Sequence, residues 1–176
     1  MPTEELLTHW TIRLALVCYV AVLAGQLAVR REHPGWQKAA RWLWTAGWAF
    51  FIAHVVCAFQ FYHHWSHARV LEDTARQTKE MMGWAFGEGI YVSYLFTLLW
   101  TADVLWWWVS PAGYLGRPRG LNIAVHAFML FIAFNGAMVF EGGVTRWFGA
   151  AACVGLALLL GWRILSNRQR PVIDNN

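Results

Sequence analysis

The densest set of chemistry-bearing side chains is the segment HHWSH, with His63, His64 and His67. On a continuous helix, His63 and His67 are spaced i and i+4 and share one face. Two imidazoles so placed can chelate a transition metal, and copper or zinc suits nitrogen donors. His64 falls about 100° around the helix, which suits a supporting role or contact with lipid headgroups. Glu88 is the expected third ligand, because Gly83 and Gly87 let the chain turn back toward the histidines. There is no HExxH sequence, so a metalloprotease is excluded. The competing reading is an interfacial cluster of amphipathic side chains facing headgroups and water.

His54, Asp103 and His126 lie inside apolar stretches. Ionisable groups in lipid are costly, which makes each of them a functional candidate. Asp103 and His126 fall at matching depths, about 9 Å and about 8 Å from one boundary, and are expected to form an intramembrane polar pair. His54 and His126 are the candidate cofactor-binding residues, for a haem or a chlorophyll-type pigment. Their depths differ by about 10 Å, which disfavours both gripping one iron. A structural role in interhelical hydrogen bonds competes with these readings. A proton path through Glu88, His54, Asp103 and His126 is conceivable, but no paired halves of the transporter kind are visible.

Elements must hold these groups in place, and the composition says what kind. Of 176 residues, 58% are hydrophobic and 14% charged, against about 25% charged in soluble domains. Crossing a membrane takes about 20 apolar residues. Five stretches qualify, at about 11–29, 41–62, 88–109, 121–140 and 147–165. The expected fold is one all-α transmembrane domain over 1–176, an integral membrane bundle of five helices. No Gly or Pro interrupts Trp48 to Met82, so the second helix is expected to extend beyond the membrane on the exoplasmic side. Residues 63–82 would then project about 30 Å, or else bend and lie on the surface. Their weakly apolar stripe either packs on this bundle and on headgroups or docks a partner.

Orientation follows from the basic residues. Arg30, Arg31, Lys38, Arg41, Arg117, Arg119, Arg163, Arg168 and Arg170 fall on one side; Arg13, Arg69, Arg76, Lys79 and Arg146 fall on the other. The richer side is expected to be cytoplasmic, with the N-terminus outside and the C-terminus inside. The tryptophans agree: Trp36, Trp42, Trp44, Trp106, Trp107, Trp108 and Trp162 mark the inner boundary, and Trp10, Trp65, Trp84 and Trp147 the outer one. Only Trp48 and Trp100 read as interior. The N-terminal MPTEELLTHW has no basic n-region and does not read as a cleaved signal. Cys18, Cys57 and Cys153 form no CxxC or CxxCH, which excludes a zinc ribbon and a c-type haem, and they read as buried thiols.

The basic residues sit at the ends of apolar stretches, so nucleic acid is not expected as a partner. The expected partners are the lipid bilayer and other membrane subunits or a second copy. The leading expectation is an accessory subunit of a larger inner-membrane complex. The alternative is a metal- or haem-binding membrane redox protein with an exoplasmic histidine cluster. Catalytic residues are not evident.

Overall fold

A computed structural model of the protein describes residues 3–28, 33–135 and 155. The described residues are helical and contain no strand. Helix α1 is Thr3–Ala28, α2 is Pro34–Ala58, α3 is His67–Met82, α4 is Gly89–Val109, α5 is Pro111–Leu115 and α6 is Arg119–Asn135. A short π-helix, Phe59–His63, continues α2.

Among the described residues, three helices are long and apolar enough to cross a membrane: Thr3–Ala28, Pro34–His63 and Gly89–Val109. At 1.5 Å per residue the shortest reaches about 31 Å, the thickness of the hydrocarbon layer. The expected fourth span opens on α6 and is described as far as Asn135; the fifth, 147–165, lies outside the described residues apart from Gly155.

The core is aromatic. Trp100 of α4 meets Trp44 at 5.2 Å, Phe51 at 5.6 Å and Tyr19 at 6.0 Å between ring centroids. Trp44, Trp100 and Trp107 are all buried. Gly47 of α2 allows this approach, because a Cβ there would lie 3.1 Å from both Cys18 and Trp100. Indole N–H groups then tie α2 to α4. Trp44 donates to Asp103 at 2.9 Å, Trp48 to Thr101 at 2.9 Å, and Trp108 to Thr45 at 3.0 Å. Each such bond within a membrane is worth about 0.6 kcal/mol on average. Trp44 and Trp107, expected at the inner boundary, turn their indoles into the bundle core rather than toward lipid.

The second helix does not run on to Met82. Its ladder ends at His63, and His64 and Trp65 take the left-handed conformation, with φ of 47° and 58°. Trp65 holds this turn by donating its indole N–H to Gln60 at 2.9 Å. Ser66 then caps α3, accepting from the Arg69 amide. Serine is a favoured N-cap because its hydroxyl satisfies an orphan amide of the first turn. Helix α3 folds back on the start of α4. Val70 and Thr78 are buried, and a Cβ on Gly87 would lie 2.7 Å from the Leu71 carbonyl. Gly83, at φ 81°, ends α3. The expected outward extension is corrected to a separate helix returning to the bundle.

Candidate functional site

Asp103 sits two-thirds of the way along α4, facing the bundle. The chain then makes a compact return. Ser110 leaves helical geometry and Pro111 opens the short α5. That single turn lays Tyr114 flat on Trp107, with centroids 4.4 Å apart and planes 9° apart. From there Tyr114 donates its hydroxyl to Asp103 at 2.8 Å. Two residues past α5, Arg117 turns inward and bonds the other carboxylate oxygen of Asp103. The side chains of Arg117 and Asp103 are only 4% and 5% exposed. The Asp103 carboxylate thus accepts from Trp44 of α2, Tyr114 of α5 and Arg117 of the following connection.

Arg117 is itself fixed on every side. Its guanidinium lies 4.1 Å above the Tyr114 ring. Its Nε and one terminal nitrogen donate to Asn122 of α6, at 2.9 and 2.6 Å. The same terminal nitrogen lies 3.5 Å from Nε2 of His126. The His126 ring packs edge-on against Trp44 at 5.7 Å. Burial pushes the Tyr114 hydroxyl far above its usual range, and the neighbouring Asp103 charge adds to this while Arg117 opposes it. Tyr114 is therefore a permanent donor to Asp103 at neutral pH.

The residues expected to pair, Asp103 and His126, both stand at the Arg117 guanidinium. Asp103 takes Arg117 as its partner, and His126 stands beyond the guanidinium. In the sequence, Arg117 is one of the basic residues of a connection. The available signal was the cost of an unpaired carboxylate in lipid, which calls for a cation before a histidine. A proline-opened turn 14 residues downstream supplied one. Tyr114, Trp44 and Asn122 carried no separate signal, because their roles depend on the fold-back of α5.

Beside this centre lies a cavity of about 320 Å³, lined by Gln26, Gln37, Trp107, Tyr114, Arg117 and Asn122, among others. Its walls offer amide and indole groups with one guanidinium already neutralised by Asp103.

The histidines are not gathered. His54 has its Nδ1 2.9 Å from the Thr8 carbonyl and ties α2 to α1. Trp44, the neighbour of His126, lies ten residues before His54, about 15 Å along the helix. His54 and His126 are therefore not placed around one iron. The break at His64 and Trp65 also removes the shared helical face of His63 and His67. His63 bonds Asp73 at 3.1 Å, and His67 bonds the Tyr94 hydroxyl at 3.1 Å. Glu88 is exposed at the N-cap of α4, and its side chain makes no capping bond. Among the described residues no three His, Cys, Asp or Glu side chains gather as a metal group. Cys18 and Cys57 are free and half-buried, and Cys153 lies outside the described residues.

Comparison with protein families, with curated proteins and with solved structures finds no match to this chain.

Proposed function

We propose that this chain is a scaffolding subunit of a larger inner-membrane assembly, with its N-terminus outside and its C-terminus inside. The observation that carries this reading is the Asp103 centre. The acid inside a span, the residue type most suited to proton or ion handling, is spent on donors from three different segments. That use fixes helix positions rather than presenting a reactive group. His54, bonded to the Thr8 backbone, and His63, bonded to Asp73, are used in the same way. The outer surface of the bundle is strongly apolar: Val109 is 83% exposed, and Leu98 and Ile123 are each 67% exposed. These faces meet lipid or the helices of other subunits.

Site-directed photocross-linking in native membranes tests the reading. A photoreactive residue at Leu98, Val109 or Ile123 is expected to give one discrete protein adduct from one of these faces. The same partner is expected to co-purify at fixed stoichiometry after gentle extraction. Adducts to lipid alone from all three positions, with a monodisperse 20.2 kDa protein in the extract, overturn it.

A further inference from the structure

Among the described residues, Arg41 has no carboxylate within ion-pair distance. It lies on α2, and its guanidinium sits 4.2 Å above the ring of Trp108 on α4. Its Nε is buried and has no hydrogen-bond partner among the described residues. Arg76, His63 and Arg117 do form ion pairs there. The Trp108 ring is held in place. Its N–H donates to Thr45 at 3.0 Å, and Thr45 donates in turn to the Arg41 carbonyl at 2.8 Å. Trp42 packs edge-on against Trp108 at 4.9 Å and is 56% exposed.

The depth of this cluster follows from α4. That helix is about as long as the hydrocarbon is thick, and Trp108 is its penultimate residue. Arg41 and its two tryptophans therefore stand at a membrane–water boundary, at headgroup level. Lys38, three residues before Arg41, shares its face and is exposed. Two cations that make no ion pair among the described residues, with two indoles at that depth, form a basic, amphipathic cradle. A guanidinium fixed over an aromatic ring keeps its planar fork for a phosphate, which it binds in bidentate fashion. Basic clusters between transmembrane helices are suited to anionic headgroups.

We propose that Arg41, seated on Trp108 and assisted by Lys38 and Trp42, binds the headgroup phosphate of an anionic phospholipid. The net positive charge of the cradle selects a lipid with net negative charge over a zwitterionic one. The site is separate from the Asp103 centre, and the proposal stands without the scaffolding reading.

Native mass spectrometry of the detergent-purified full chain, titrated with phosphatidylglycerol or phosphatidylcholine, provides the test. One phosphatidylglycerol is expected to be retained, with at least tenfold preference over phosphatidylcholine. Arg41→Gln is expected to weaken it about tenfold, corresponding to about 1.4 kcal/mol. Arg41→Lys is expected to fall between, because it keeps the charge and loses the fork. Lys38→Gln, at an exposed position away from the packing, is expected to weaken binding by a smaller factor and covers the case where Arg41→Gln does not fold. Arg69→Gln on α3 is expected to bind as the parent does. Equal retention of both lipids, unchanged binding in both Arg41→Gln and Lys38→Gln, or displacement by inorganic phosphate at equal concentration overturns the proposal.

Discussion

Arg117, in the connection between α5 and α6, pairs with Asp103 in the C-terminal third of α4, and both side chains are almost fully buried. The pair joins segments that the sequence separates by a proline turn. Buried ion pairs contribute little net stability when intact, but losing one partner strands the other charge.

Asp103→Leu and Arg117→Met are therefore each expected to cost about 3–5 kcal/mol. The double variant is expected to recover most of that loss, because neither charge is stranded. Asp103→Asn keeps an acceptor for Trp44 or Tyr114 but still strands Arg117, so it should fall between Asp103→Leu and the parent. Thermal melts in one detergent check the series. Additive losses in the double variant would show that the two residues act separately.

Tyr114→Phe preserves the stack on Trp107 and removes one bond to a charged acceptor. The expected loss is about 1.5–3 kcal/mol. The pH dependence has a defined sign. The Tyr114 hydroxyl is raised in the folded protein above its ordinary value of about 10. Its contribution is fully present below about pH 10 and is lost as the pH rises beyond that. The gap in melting temperature between parent and Tyr114→Phe should thus shrink above about pH 10. A gap that is constant up to pH 11, about one unit past that value, would remove Tyr114 from the alkaline response.

Ser66→Ala should destabilise α3 by about 1 kcal/mol, since the Arg69 amide loses its acceptor. Hydrogen exchange is the suitable measurement. Faster exchange is expected over residues 67–71 and no change at Trp100 or Asp103. Unchanged exchange in the first turn of α3 would show that the tertiary contacts alone hold it.

His63 acts through Asp73. His63→Ala and Asp73→Ala are each expected to loosen α3, with a coupling of about 0.5–1 kcal/mol in the double variant. Chelator treatment should leave the parent's melting temperature unchanged. A melting temperature that drops on chelation, together with stoichiometric copper or zinc lost in His63→Ala and His67→Ala, would restore the metal reading.

Orientation is open to labelling. Gln77 is exposed on α3, and Gln77→Cys in a background without Cys18, Cys57 and Cys153 should react with an impermeant thiol reagent on intact cells. Reaction only after permeabilisation would invert the proposed topology.

The amino-acid sequence by itself determined the helical class and the places where apolar length suffices to cross a bilayer. These are properties of local composition and period, and α1, α2 and α4 follow the expected stretches. It also singled out Asp103, because burying a carboxylate in lipid is costly wherever the rest of the chain lies. Tertiary structure decided the partners. Arg117 reads as a loop charge until α5 folds back and carries it to Asp103. That Trp44 and Trp107 face the core was not legible either, because depth along a helix says nothing of rotation about it. The break at His64 and Trp65 was the least legible feature. Trp65 is not a usual left-handed former, His64 is only a weak one, and Ser66 is the clearest local sign of a new helix. The turn is held by Trp65 reaching back to Gln60, and by α3 packing on α4 through Val70 and Gly87. Those contacts exist only once the chain has folded, and they separate His63 from His67.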